Sequence, residues 1–204
     1  LAAGSVSLVK SAYSSGNPAI GVGPGNVPVY IGKSCNVPFA VDQILLSKTF
    51  DNGTICASEQ SVVVSKRNST EVVEEFKRRK AYFLSEDEIQ KLEKIAFNKT
   101  QKVMNAEVIG QSAFRIAEMA NISVPEDTSV LIAPLSEVGI NYPLSLEILA
   151  PILGFYEVEN FDEAIQQCLK INEHGGLGHT VSIFSEEEKK IEYFSSIMNA
   201  GRIL

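Results

Sequence analysis

Within "FDNGTICASEQ" (50–60) a single cysteine, Cys56, follows a polar turn and precedes the apolar run "SVVVS". Two readings fit it. Free cysteines commonly serve as small buried hydrophobes. A cysteine presented by a tight turn can instead be a nucleophile. Asp51-Asn52-Gly53 is strong turn chemistry, and "CASEQ" can form one helical turn. At a helix N-terminus a thiolate is stabilised by free backbone N–H groups and the helix dipole. The same N–H groups can hold the oxyanion formed when sulfur attacks a carbonyl. Cys168, beside Ala164, Ile165 and Leu169 at an apolar helix position, reads as core, and Cys35 in "GKSCNVP" sits in a loop or helix start with no second signal.

Glu147 in "LSLEILAPIL" is an acid among apolar residues. A carboxylate there needs a partner or a ligand, so an ion pair and a functional role both remain open. His179 in "GGLGHTV" lies between a glycine-rich helix end and a strand, either as a satisfied interior histidine or as a functional one. His174 reads as a C-terminal helix cap. The loop "GVGPGN" (21–26) does not match the dinucleotide fingerprint, in which a helix directly follows the glycines. A strand follows here, and a tight connection between packed layers is the plain alternative.

The elements that must position these residues alternate in type. Strand-length runs occur at 27–31, 61–65, 129–134, 154–158 and 180–184. Helices lie between them. Asn68 with Glu71, Ser85 with Glu88, and Ser112 mark helix starts. The helix 161–174 stops at Gly175-Gly176, and another runs from a Ser185/Glu188 cap to Gly201. Such alternation predicts an α/β fold with a largely parallel sheet and flanking helices. Ligands of open α/β sheets sit beyond the carboxyl ends of the strands. The site is therefore expected there, in loops 21–26, 51–56, 143–151 and 175–179.

The 204 residues, 45% of them hydrophobic, suffice for one sizeable core and part of a second. The net charge of −7 is scattered over helices and leaves no basic face for phosphates, so no nucleic-acid partner is expected. No run approaches the ~18 apolar residues of a membrane span, and no membrane partner is expected. Three widely spaced cysteines fit neither a disulfide framework nor a zinc site. No metal is expected, and a reducing cytoplasm is. The start at "LAAGSVSLV" and the end at "AGRIL" suggest a piece of a longer protein.

In their order along the chain, "VKSAYSSGNPAIGVGPGN", "FDNGTICASEQ", "GGLGHT" and "NAGRIL" resemble the aldehyde dehydrogenase superfamily. The likeness is strongest to its CoA-acylating branch, such as the aldehyde dehydrogenase half of bifunctional aldehyde-alcohol dehydrogenases. The resemblance implies that residues 27–204 form most of the cysteine-bearing catalytic domain. Residues 1–26 would then be the end of a Rossmann-like NAD-binding domain. It implies that Cys56 attacks an aldehyde, that hydride passes to a nicotinamide, and that an acyl-thioester remains on the enzyme until CoA accepts it. Glu147, with Leu149 and Pro151, matches the "ExFGP"-like element whose glutamate holds the nicotinamide ribose hydroxyls. Gly4 and Ser5 fall where a helix N-terminus approaches the cofactor, although the branch commonly reads "TGG" where this chain has Ala3-Gly4-Ser5. His179 falls where the acylating branch carries a histidine suited to deprotonate the CoA thiol.

Gly21, also assigned to the cofactor side, is the informative departure. Hydrolytic members open this loop with a glutamate, in "ELGGK", that activates water; a glycine here removes that base. The implied reaction is aldehyde + NAD⁺ + CoA to acyl-CoA + NADH, reversible, with NADP left open and the aldehyde unnamed. The parent is expected to be a homo-oligomer in the cytoplasm, with a bacterial microcompartment left open. The upstream cofactor domain and the C-terminal oligomerisation segment lie outside the sequence, so the chain alone is expected neither to bind NAD tightly nor to turn over. Rival readings are a phosphate-dependent semialdehyde dehydrogenase, a cysteine hydrolase using Cys56 and His179, and a non-catalytic homologue.

Overall fold

The computed structural model describes residues 1–98 and 103–204. The chain begins with a βαβ unit, β1 (Ala2–Ala3), α1 (Val6–Tyr13) and β2 (Gly21–Val22), whose two strands pair in parallel. Next come β3 (Val27–Ile31), α2 (Val37–Thr49), β4 (Glu59–Ser65), α3 (Ser69–Arg78), β5 (Ala81–Phe83) and α4 (Glu86–Ala96). A short antiparallel pair, β6 (Phe97–Asn98) and β7 (Val103–Met104), precedes α5 (Ala113–Met119). The chain continues through β8 (Val130–Pro134), β9 (Ile152–Val158), α6 (Phe161–Glu173), β10 (Thr180–Phe184), α7 (Glu188–Ile197) and β11 (Arg202–Ile203).

Seven strands form one parallel sheet in the order β11-β10-β3-β4-β9-β8-β5. Right-handed crossovers explain which face each helix covers. The path from β3 through β4 to β5 moves outward and lays α2 and α3 on one face. There Val29, Ile31, Val62, Val64 and Phe155 pack on Val41, Ile44, Val72 and Phe76. From β5 the path returns across the sheet and lays the later helices on the opposite face. Leu131, Ala133 and Ile152 meet α4 and α5, while Tyr30, Val63, Tyr156 and Val181 meet α6 and α7. Strands buried on both faces have no polar alternation to show, as the fully buried β3 and β4 illustrate.

The predicted strands and most caps are present, with differences that have local causes. Ser85 and Glu88 form the expected capping box, and Ser112 Oγ accepts the Arg115 N–H at 3.2 Å. Asn68 precedes α3, but its side chain turns toward the Gly32 carbonyl instead of capping the helix. The last helix starts later than a Ser185 cap implies. Ser185 Oγ instead accepts the Glu187 N–H and bonds Ser34 Oγ across the β3–β10 boundary. That helix also ends at Ile197, before Gly201. Helix α2 falls outside the predicted set because apolar residues surround it on all sides; Phe39 and Leu46 are exposed opposite buried Val41 and Ile44. Among the described residues no helix is long and apolar enough to cross a membrane.

Phe76 is fully buried between α3 and the sheet and stacks edge-on with Phe83. Phe76→Ala should lower unfolding stability by about 3–5 kcal/mol, read by urea denaturation.

Candidate active site

The four loops picked out in the sequence do converge, but at the opposite edge of the sheet from the one expected. Loop 21–26 leads into β3, 51–56 into β4, 143–151 into β9 and 175–179 into β10. These strands are neighbours in the order β10-β3-β4-β9 and all run parallel. Their incoming loops therefore share the amino edge. These loops lead into their strands, whereas the carboxyl-end expectation concerns the loops that leave them.

Gly25 is where the loops meet. Its N–H donates to Glu147 Oε1 at 2.8 Å. A β-carbon on Gly25 would stand 2.4 Å from the Cys56 carbonyl oxygen and 3.3 Å from Cγ and Nδ1 of His179. Only glycine permits that approach. One backbone position thus touches the segment of all three candidate residues. The next residue, Asn26, is fully buried and ties its loop to loop 143–151 and to α6: its Nδ2 donates to the Ser145 and Ile171 carbonyls at 2.9 and 3.0 Å. Sequence reading singled out the 21–26 loop but not these two residues. The signal was present in the contrast of a glycine and an amide with the strand that follows.

Cys56 is exposed, whereas Cys168 is buried in α6, as expected, and Cys35 is intermediate. The expected helical turn after Cys56 does not form. Phe50–Gly53 makes a 3-10 turn with Asp51 and Asn52 in the left-handed region, and Ser58 then closes a turn onto the Ile55 carbonyl at 3.0 Å. The chain enters β4 at Glu59. β4 pairs with strands on both sides over this stretch, which favours extended backbone over helix. The thiol therefore has no helix N-terminus behind it.

Glu147 lies against the cleft, half-buried. Burial raises its pKa above the usual carboxylate value, and the Gly25 N–H and the Lys48 ammonium act against that rise. The His179 imidazole is held below its ordinary pKa by burial first and then by Arg202, which favours the neutral ring at pH 7. Its Nδ1 lies 3.1 Å from Thr180 Oγ1. His174 is the C-terminal cap of α6, as predicted, with Nδ1 2.9 Å from the Lys170 carbonyl.

The remaining assigned residues have structural partners. Ser5 caps α1, its Oγ accepting the Leu8 N–H, and the Gly4 N–H donates to the Val22 carbonyl. Leu149 N–H meets Met104 Sδ, and its carbonyl accepts the Gly110 N–H. Pro151 is buried, and its carbonyl accepts the Leu131 N–H. Leu149 and Pro151 thus hold the Glu147 loop. The Gly21 N–H donates to the Tyr13 hydroxyl, and a β-carbon there would stand 2.5 Å from Val9 Cγ1. Val9 and Tyr13 of α1 would have to shift to admit a side chain at this position.

A cleft of about 600 Å³ runs between Ser5, Pro24, Met104, Leu146, Glu147 and Gly175. A second, of about 410 Å³, is bordered by Gly21, Pro24, Leu177 and His179. Pro24 and Gly175 line both, so Glu147 and His179 open onto adjoining spaces.

A profile of the aldehyde dehydrogenase family matches residues 7–204. The aldehyde-alcohol dehydrogenase of Clostridium acetobutylicum is 48% identical over 205 residues, covering 99% of this chain and 24% of that protein. The bifunctional aldehyde-alcohol dehydrogenase of Escherichia coli is 41% identical, covering 100% of this chain and 23% of that protein. An acetylating aldehyde dehydrogenase structure from Geobacillus thermoglucosidasius superposes with a TM-score of 0.95 at 51% identity, covering 99% of this chain and 44% of that one. The chain thus spans about a quarter of the length of these curated relatives.

Exposure should separate the three thiols. Burial pushes the Cys35 thiol up to about 11, which leaves roughly one molecule in ten thousand as thiolate at pH 7, and burial pushes Cys168 up further. Iodoacetamide at pH 7 should label Cys56 first, read by peptide mass spectrometry. Labelling of Cys35 or Cys168 at the Cys56 rate would contradict this.

Proposed function

The chain belongs to the aldehyde dehydrogenase family, and from that premise we propose that a protein carrying it oxidises an aldehyde with NAD and CoA to acyl-CoA. The observation that carries the reading is the convergence on Gly25 of Glu147, the Cys56 backbone and the His179 ring. Within the proposal, residues 1–26 end a cofactor-binding domain and 27–204 form most of the catalytic domain.

The cleft suits the nicotinamide half of the cofactor. It is bordered by the N-cap of α1 and by Glu147, whose carboxylate can accept ribose hydroxyls. When bound, the nicotinamide supplies the hydride acceptor. The chain's own residues do the rest. The Cys56 thiolate attacks the aldehyde carbon to give a thiohemiacetal. Loss of hydride from that carbon, and of the hydroxyl proton, leaves an acyl-thioester on Cys56. A neutral His179 can take the proton of the CoA thiol, whose sulfur then attacks the acyl carbon and releases Cys56. Because one thioester replaces another, the sequence runs in both directions.

Gly21 supports CoA over water as acceptor. Hydrolysis needs a base aimed at water, and Val9 and Tyr13 occupy the space that a side chain at position 21 would need. The acetylating activity named for the Geobacillus relative supports the same acceptor. Cytoplasm or a bacterial microcompartment, and a homo-oligomer, complete the proposal.

In the full-length protein, NADH formation from aldehyde should stall after about one equivalent per site without CoA and resume when CoA is added. Sustained turnover without CoA, or with phosphate in its place, would overturn the acceptor assignment. Cys56→Ser should lower kcat by at least about 10³-fold, and His179→Asn should slow the CoA-dependent step by roughly 10²-fold or more. The 204-residue chain alone should give no steady-state rate.

Ionised Glu147 accepts two hydroxyls more strongly than its protonated form does, and its pKa is raised. Cofactor affinity should therefore weaken as pH falls from neutrality toward that raised value, and Glu147→Gln should remove this pH dependence, measured by titration calorimetry.

A further inference from the structure

Lys48, near the end of α2, has no solvent exposure, and the chemistry proposed above does not use it. Burial brings its pKa down to about 7, although the carboxylates of Glu59 and Glu147, the two charged groups it faces, pull the other way. A methionine would fill similar volume without an ammonium to desolvate. What a methionine would lack are the hydrogen bonds. Lys48 Nζ donates to Gln60 Oε1 at 2.9 Å and to the Ile148 carbonyl at 3.1 Å. Gln60 Oε1 also accepts the Ile148 N–H at 3.1 Å. The Ile148 N–H is thus held through Gln60, and its carbonyl by Lys48 together with the Ala150 N–H at 2.9 Å.

The sequence positions give this knot its meaning. Lys48 and Gln60 bracket the segment that carries Cys56, and Ile148 directly follows Glu147. Midway along the bracket, a β-carbon on Gly53 would stand 2.7 Å from the Ala150 carbonyl, so the two loops lie against each other. We propose that Lys48 is a positioning residue: its amino group, donating to Gln60 Oε1 and to the Ile148 carbonyl, ties both ends of the Cys56 loop to the Glu147 loop and holds Glu147 at the cofactor cleft. The inference rests on the reading of Glu147 as the acceptor for ribose hydroxyls.

The test compares the full-length protein with its Lys48→Met variant. Amide exchange is read by mass spectrometry without cofactor, and NAD affinity by calorimetry. Exchange across 144–150 should accelerate about tenfold while β3 and β4 keep their protection. The NAD dissociation constant and KM should rise about tenfold, with kcat changed by less than about threefold. Unchanged exchange and affinity would overturn the proposal. If Lys48→Met exchanges throughout, Gln60→Glu decides. It keeps the acceptor for Ile148 and pairs the ammonium with a carboxylate, so exchange across 144–150 should slow by about threefold; an unchanged or faster rate overturns the proposal. A wild-type protein that binds no NAD would instead remove the reading of Glu147, and the exchange results would still decide the role of Lys48.

Discussion

Parallel pairing of four neighbouring strands is the constraint on which the site depends. In a parallel sheet every strand starts at the same edge, so the loops leading into β10, β3, β4 and β9 have to meet there. Residues as far apart as Gly25 and Glu147 become hydrogen-bond partners because β3 and β9 flank β4 and start at the same end of the sheet. The sheet sets a spacing of about 4.8 Å between strands, and backbones that continue to converge beyond its edge leave little room for side chains. Gly25 answers that crowding by having no β-carbon, and Asn26 answers it by hydrogen-bonding the neighbouring carbonyls.

The same edge concentrates polar groups that a core would normally avoid. Asn26, Lys48, Glu59, Gln60 and Asn172 are all buried in or just beneath the incoming loops. Oδ1 of Asn26, Oε2 of Glu59, Nε2 of Gln60 and Oδ1 of Asn172 have no hydrogen-bond partner among the described residues. Burying amide and charged side chains costs more than burying apolar ones, so this end of the sheet is held together at the expense of stability. The opposing gain is orientation. A thiol and a carboxylate on separate loops keep a fixed relation only if the backbones between them cannot slide, and hydrogen bonds to backbone groups resist sliding better than apolar contacts do.

Much of the architecture was legible in the sequence because local signals and tertiary contacts agree. The strands at 27–31 and 180–184, the Ser85–Glu88 box and the Ser112 cap all appear where their residues place them. Failures came where tertiary pairing decides. "CASEQ" is compatible with a helical turn, yet β3 and β9 draw the residues after Cys56 into β4. Ser185 bonds across a strand boundary rather than capping. At the site, Cys56, Glu147 and His179 stood out as chemically unusual residues in their segments. The residues beneath them did not. Lys48 looks like an ordinary helix lysine until the fold buries it, and Gly25 looks like any loop glycine until Cys56 is placed against it. The end of the sheet on which these loops gather also differs from the expected carboxyl end, because each of them precedes the strand it was read beside.

The proposed reaction depends on Cys56 carrying the acyl group and passing it to a thiol. The most direct measurement is mass spectrometry of the full-length protein after brief exposure to acetyl-CoA without nicotinamide cofactor. The predicted result is one acetyl group on the Cys56 peptide, released within seconds by free CoA and only slowly by water. An acetyl group on Cys35 or Cys168, or none on Cys56, would contradict that role for Cys56.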